Sequence, residues 1–178
     1  VNSVSLQVRG GIQTESNVVV GSDAGFSSLA EFTDGTVLTT DRIALGTSAG
    51  QTLQNSFAIS MGYQAGMTGQ NVYTTAVGYQ AGTLGQDLYS VAIGYRAGTS
   101  NQGSNSVAMG NLAAKQFQAR QAVAIGKSAA ANAQGDSAIA MGVSAGSNTQ
   151  GSYAIALGYQ AAKVTQGSYA VAIGRDTG

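Results

Sequence analysis

The chain contains no cysteine, no histidine, no proline and no tryptophan among its 178 residues. Without cysteine it has no disulfide and no thiolate metal site, and without histidine it lacks the commonest general base and zinc ligand. Charged residues are also scarce, with eight basic and eight acidic side chains that give a net charge of zero. Nucleic-acid binding normally requires a dense basic surface. No apolar run is long enough to cross a bilayer. We therefore expect a protein that is not an enzyme, that uses no cofactor, metal or nucleic acid, and that does not insert this segment into a membrane.

Glycine, by contrast, is abundant and periodic. A fixed spacing of 16 residues is the signature of a repeat architecture, in which one unit is stacked on itself. The glycines that keep this spacing, called the coil glycines below, are Gly46, Gly62, Gly78, Gly94, Gly110, Gly126, Gly142, Gly158 and Gly174. Their invariance predicts a backbone conformation that other residues resist, or a place where two backbones pass closely. Four positions later, Ala114, Ala130 and Ala162 replace glycine, which predicts that small size rather than a positive φ is required there.

A short apolar run precedes each coil glycine, as in Tyr-Ala-Val-Ala-Ile-Gly at 169–174. Large aliphatic residues stand one and three positions before the glycine, except for Thr75, and alanine or serine stands at the position between them. This period-two alternation predicts a β-strand. The absence of proline suits a ladder in which every strand N–H is needed. The fold predicted is therefore all-β, a parallel β-roll or solenoid of 16-residue coils.

The two faces of this strand differ in size. A coil of this length has one interior, and we expect the Val/Ile face to fill it because packed interiors need bulk. The small face would then point outward and let a second copy of the chain approach closely. This candidate self-association face, called the alanine row below, consists of Ala92, Ala108, Ala124, Ala140, Ala156 and Ala172.

A glutamine stands eight positions before each coil glycine from the second onward. Stacked coils bring equivalent side chains to about 4.8 Å, where their amides can hydrogen-bond to one another. We therefore predict a structural ladder at a turn; the alternative is a row of ligand contacts. This glutamine row consists of Gln54, Gln70, Gln86, Gln102, Gln118, Gln134, Gln150 and Gln166.

Tyrosines also keep register, either directly after the coil glycine or five positions before it. Such aromatics either stack along the array or provide an exposed binding surface, and we favour stacking. The residues are Tyr63, Tyr79, Tyr95 and Tyr159 at the first position, and Tyr73, Tyr89, Tyr153 and Tyr169 at the second.

The extent of the 16-residue period divides the chain into two predicted regions. Residues 41–178 are predicted to form an array of nine coils, the last incomplete, and residues 1–40 an N-terminal cap or junction with one degenerate repeat at 18–25 and an insertion at 26–40. Within the array, the alanine-rich segment 111–134 has helical propensity, but glycine and glutamine keep their register through it, which predicts coil. We expect the chain to be a segment of a longer protein.

The blocks Asn-Ser-Val-Ala-Met-Gly at 105–110, Ser-Val-Ala-Ile-Gly at 90–94 and Tyr-Ala-Val-Ala-Ile-Gly at 169–174 resemble the head repeats of trimeric autotransporter adhesins of the YadA type. The resemblance covers about residues 41–178 and implies a left-handed parallel β-roll, with three chains side by side on the extracellular face of a bacterial outer membrane. The family's repeats are usually shorter, at about fourteen residues, and a glutamine in every coil is not part of their motif. The form Gly-Tyr-Gln-Ala-Gly at 62–66 and 78–82 is similar to repeats in fibre proteins of phages and large viruses, which would place the module on the exterior of a virion.

These observations predict a non-enzymatic, homotrimeric surface-display or attachment module, an adhesin head or host-attachment fibre that binds through a repetitive outer face. The expected partners are other copies of the chain and a host-surface or extracellular-matrix protein or glycan. The alternative is a purely structural fibre, spike or cementing component of a phage or large-virus particle. A third hypothesis, a monomeric ice-binding solenoid, requires a flat threonine array that the residues after the coil glycines do not maintain.

Overall fold

The computed structural model describes residues 17–20 and 42–178. All regular elements in these residues are β-strands, arranged in three parallel sheets. The ten-stranded sheet contains β1 Asn17–Val20, β2 Arg42–Leu45, β4 Ile59–Met61, β6 Thr75–Val77, β8 Val91–Ile93, β10 Val107–Met109, β11 Val123–Ile125, β13 Ile139–Met141, β15 Ile155–Leu157 and β17 Val171–Ile173. A four-stranded sheet contains β3 Thr52–Gln54, β5 Thr68–Gln70, β7 Leu84–Gln86 and β9 Ser100–Gln102, and a three-stranded sheet contains β12 Ala133–Gln134, β14 Thr149–Gln150 and β16 Thr165–Gln166.

Each coil contributes one strand to the ten-stranded sheet, and neighbouring strands pair residue for residue one period apart. Val107 is opposite Val123 and Ala108 is opposite Ala124, for example. The predicted all-β parallel solenoid is therefore confirmed, with about eight complete coils of about 16 residues among the described residues. The segment 111–134 follows the same path through β11 and β12 and contains no helix.

The array extends to an additional strand before residue 41. β1 pairs in parallel with β2, and Val20 lies opposite Leu45, the residue before the first coil glycine. Residues 17–20 thus occupy the strand position of a further coil. The rest of the predicted cap, including the insertion at 26–40, lies outside the described residues, so the boundary at residue 40 stays a prediction.

The interior of the solenoid is filled by small side chains, and the expectation that the alanine row faces outward is wrong. Its members Ala92, Ala108, Ala124, Ala140 and Ala156 are fully buried within the chain, and Ala172 is only 6% exposed. The reason is the width of the lumen, since a coil built from two very short strands and two turns has little room inside. Its largest fully buried side chains are glutamine, threonine and serine. The bulky aliphatic residues of the same strands consequently point outward.

The coil glycines stand where successive coils touch. Their φ values lie between 123° and 131°, which side chains other than glycine rarely adopt. A Cβ atom added to Gly94 would lie 2.5 Å from the carbonyl oxygen of Gly110 in the next coil, and the same contact recurs from Gly46 to Gly158. Both the conformation and the close approach therefore require glycine. By contrast, the prediction for Ala114, Ala130 and Ala162 is wrong in part, because these alanines do have positive φ values of 43° to 47°.

The second side of the solenoid changes its backbone along the array. The residue before the glutamine has a positive φ in the first four coils, at Leu53, Gly69, Gly85 and Asn101. From Phe117 onward, the same position has no positive φ. Gln118 stands at the change and is joined to the neighbouring coils by single bridges to Gln102 and Gln134. The array therefore combines two coil variants under one continuous ten-stranded sheet.

Replacing Ala92 with leucine tests the position of the alanine row. Because the lumen is already filled, the larger side chain is expected to destabilise the fold by about 1–3 kcal/mol, measured by chemical denaturation followed by circular dichroism. Val91→Leu, on the outward side of the same strand, is the matched control and should change stability little. Unchanged stability of Ala92→Leu together with a reduced oligomer mass would restore the alanine row as an interface.

Replacing Gly94 with alanine tests the coil–coil contact. The substitution combines an unfavourable φ with a backbone clash. The φ alone costs about 1–3 kcal/mol, so we expect the free energy of unfolding to fall by at least this amount. Gly167→Ala is the control, because no atom lies within 4 Å of the added Cβ. Equal effects of the two substitutions would contradict this account.

Candidate functional site

The outward side of the ten-stranded sheet is an apolar surface, called the outer face below. It consists of the residues one and three positions before each coil glycine, which are partly or largely exposed: Met109 is 38% exposed and Leu157 is 41% exposed. The residues are Ile43, Leu45, Ile59, Met61, Thr75, Val77, Val91, Ile93, Val107, Met109, Val123, Ile125, Ile139, Met141, Ile155, Leu157, Val171 and Ile173. None of them is charged. A contiguous exposed apolar surface of this kind marks an interaction site.

Two rows of stacked aromatic rings border the outer face. Directly after the coil glycine, the ring of Tyr79 lies 5.1 Å from that of Tyr63 and 5.3 Å from that of Tyr95. Five positions before the glycine, the Tyr73 ring lies 5.0 Å from Phe57 and 5.1 Å from Tyr89, with nearly parallel planes. The preferred interpretation from sequence, stacking along the array, is therefore confirmed for these rings. They also stay about half exposed, so their edges remain available to a partner.

The glutamine row lies inside the solenoid, where its members are 0–6% exposed. Gln134 is representative: its Nε2 donates to the carbonyl oxygens of Val123 at 2.8 Å and Ala138 at 3.0 Å, and to Oε1 of Gln150 at 3.2 Å. The bond to the carbonyl eleven positions earlier, at the start of a strand of the ten-stranded sheet, recurs in every coil that carries the glutamine. The amide therefore connects the two sides of the coil across the lumen.

Direct bonds between glutamines are less regular than these transverse bonds. They join Gln70 to Gln86 and run continuously from Gln118 through Gln134 and Gln150 to Gln166. The oxygens Oε1 of Gln102 and Gln118 accept no hydrogen bond within the described residues. The continuous run of glutamine–glutamine bonds thus lies in the second coil variant, from Gln118 onward.

The Asp87 carboxylate connects three successive coils through side-chain hydrogen bonds. Its Oδ2 accepts a hydrogen bond from the Ser104 hydroxyl at 2.6 Å, and its Oδ1 accepts from the Leu88 N–H at 2.8 Å and from Nδ2 of Asn71 at 3.2 Å. These bonds, that of Ser104 foremost, hold the pKa of Asp87 below its ordinary value of 3.8. Because the folded pKa is the lower one, this stabilisation is present above pH 3.8 and is lost as the pH falls through the folded pKa. We assign Asp87 a structural role.

The part of the chain that the structure describes shows no grouping suited to metal binding. Within residues 17–20 and 42–178, no three carboxylate, thiol or imidazole side chains come together. Among the same residues, none of the secondary structure is a helix of the length and apolarity needed to traverse a bilayer. The exposed apolar outer face and its aromatic borders are the candidate site.

Of the rows singled out from sequence, only the tyrosines lie at the candidate site, at its borders. The glutamine and alanine rows line the lumen, and the coil glycines form the contacts between coils. The candidate site is formed instead by residues such as Ile93 and Met109, which sequence analysis assigned to the interior. The signal that could have located them is the length of the coil, because 16 residues enclose a lumen too narrow for two layers of branched aliphatic side chains.

Comparison with known proteins supports the resemblance noted from sequence. Residues 70–97, 88–113 and 133–161 match the family model of the YadA head domain repeat (2 copies). The similarity to YadA-like head repeats is thus confirmed over these residues, which include β8, β10, β13 and β15 with the coil glycines that follow them. No curated protein and no solved structure gives a significant match to the chain.

Replacing Gln134 with alanine tests the transverse amide bonds. The substitution removes three donated hydrogen bonds, including the only amide donor to Oε1 of the neighbouring Gln150 among the described residues, so we expect a loss of about 1–3 kcal/mol in unfolding free energy. Gln116→Ala, at an exposed glutamine of an adjacent coil, is the control and should be nearly neutral. Equal unfolding midpoints for both variants would mean that the amides do not hold the coil closed.

Proposed function

We propose that this chain is a homotrimeric attachment module displayed on the outer surface of a bacterium. The observation that carries the proposal is the outer face, where bulky aliphatic side chains are exposed along the whole described array while the interior of the same strands contains alanine. The match to YadA head repeats supports the surface location, the left-handed winding and the number of three copies. The role is one of binding and display, without catalysis.

The occupant of the outer face is a second copy of the same chain. Parallel sheets are normally covered on both sides, and here only one side is covered within the chain. The outer face carries no charged residue, so identical surfaces meet without repulsion. Around a threefold axis, each copy contributes the same rows at the same height, as closed symmetric oligomers require.

Attachment uses the surfaces that remain outside the assembly. Each coil variant recurs in several successive coils, so a trimer presents many equivalent positions to a host-surface or extracellular-matrix protein or glycan. Weak contacts at several positions add to a much stronger overall attachment because the later contacts form intramolecularly.

The alternative function, a structural fibre component of a phage or virus particle, is supported by the uninterrupted register of the ten-stranded sheet. A stack with a constant cross-section serves as a rigid spacer whether or not it binds anything. The two functions differ in whether the trimer itself adheres to host material.

Replacing Met141 and Leu157 with glutamate tests assembly through the outer face. The two residues are paired on adjacent strands, and carboxylates buried between copies are strongly unfavourable. We expect the native chain to show three times the mass of the 17.8 kDa monomer in light scattering after size exclusion, and the double variant to show the monomer mass.

The matched control is Thr149→Glu with Thr165→Glu, also paired on adjacent strands but exposed on the other side of the coil. It carries the same like-charge repulsion and should stay trimeric. A monomeric native chain would refute the assembly. Adhesion of the trimer to surfaces coated with extracellular-matrix proteins or host glycans, reduced in the monomeric variant, would support attachment; a trimer that adheres to neither would favour the structural alternative.

A further inference from the structure

A polar gap interrupts the aromatic row five positions before the coil glycine. Three successive coils carry Asn105, Gln121 and Ser137 in this row, between the rings of Tyr89 and Tyr153. The gap opens into a cavity of about 320 Å³, called the notch below. The residues that line the notch are Asn105, Arg120, Gln121, Asp136, Ser137 and Tyr153.

We propose that the notch binds a neutral saccharide unit of a host-surface glycan. This inference rests on the proposed attachment function and names the chemical class of one partner. The cavity volume is at the lower end of the range for small-molecule sites, which suits one or two sugar residues. The notch lies in the turn that precedes the strands of the ten-stranded sheet and not on the outer face itself.

The polar side chains of the notch match the hydrogen-bonding pattern of a sugar. A sugar hydroxyl both donates and accepts, and the amides of Asn105 and Gln121 offer both kinds of group. The Ser137 hydroxyl donates to Oε1 of Gln121 at 3.2 Å, which orients the Gln121 amide and leaves its nitrogen to donate to a ligand. The three side chains belong to successive coils, so they follow one another along the array at strand spacing.

The Tyr153 ring forms one wall of the notch. One of its faces stacks on Tyr169, with centroids 5.1 Å apart and planes 8° apart. The other face is directed along the row toward Ser137, where no ring follows, and the residue is 53% exposed. A ring fixed on one side and open on the other presents an apolar platform for the C–H face of a pyranose, at little cost in conformational entropy.

The charge balance of the notch favours a neutral sugar over an anionic one. The Arg120 guanidinium lies 3.5 Å from the Asp136 carboxylate, and the Arg120 main-chain N–H donates to Oδ1 of Asp136 at 3.1 Å. The positive charge of Arg120 is therefore neutralised by Asp136, and the Asp136 carboxylate would repel an anionic ligand. Both groups still reach solvent and can bond to hydroxyls.

The test is to fill the notch with the residue that the array itself uses at this position. Ser137 has a φ of 55°, close to the 60° of Tyr153, so Ser137→Tyr extends the ring stack without a backbone change. The assembled 178-residue chain and this variant are compared on an array of neutral and sialylated oligosaccharides. Neutral oligosaccharides that bind the native chain are then titrated by calorimetry. We expect Ser137→Tyr and Tyr153→Ala each to weaken this binding at least about tenfold.

Two controls separate this inference from the proposed function. Asn111→Tyr adds a ring to the other aromatic row, next to Tyr95, and Tyr73→Ala removes a stacked ring outside the notch; both should bind neutral sugars as the native chain does. No binding of neutral oligosaccharides, binding of sialylated ones alone, or binding unaffected by Ser137→Tyr would each overturn the saccharide site. A trimeric mass and adhesion to matrix proteins retained in Ser137→Tyr would leave the attachment function standing in those cases.

Discussion

The hydrogen bond from a buried glutamine amide to the opposite strand is the interaction on which this structure depends. The strands on both sides of the coil are only two to four residues long, so each coil gains from a bond that joins its two sides. Each glutamine in the row connects the second side of the coil to the ten-stranded sheet through the carbonyl eleven positions earlier. An apolar side chain of similar length would fill the same volume but could not donate this hydrogen bond across the lumen. The amide therefore sets the width of the lumen.

The width of the lumen determines which face of each strand is buried and which face is exposed. It admits methyl groups and small hydroxyls, so alanine occupies the position that leucine or isoleucine fills in wider folds. Alanine contributes little hydrophobic stabilisation on burial, since the stabilisation is proportional to the apolar area removed from water. The larger apolar area of each strand lies on the outer face and becomes useful only when a second surface covers it. In the proposed trimer, folding and association would accordingly be linked, as they are in proteins whose subunits complete one another's cores.

The sequence predicted the fold well because periodicity is a property of the backbone path. Spacing alone located the strands, and the register of Gly110, Gln118 and Gly126 correctly overruled the helical propensity of the segment between them. Sequence analysis did not predict correctly which face of each strand is buried. The alternation shows that Ala92 and Ile93 lie on opposite sides of the strand, but it does not show which side faces the interior. That choice depends on the distance between the two sides of the coil, a tertiary quantity. The notch was missed for a related reason, because Asn105, Gln121 and Ser137 are unremarkable until the rings on either side of them are seen to stack.

The glycine contacts between coils have a consequence for how such a molecule can change over generations. Because every coil meets the next through the same backbone atoms, an in-frame duplication or deletion of one whole period joins surfaces that already fit. The length of the array then changes by one strand spacing, about 4.8 Å, while its cross-section is unaffected. A change of any other length would displace every later glycine from its neighbour. The height of the array is thus adjustable in uniform steps, whereas the coils between Tyr89 and Tyr153, which lack the ring of this aromatic row, mark one particular position along it.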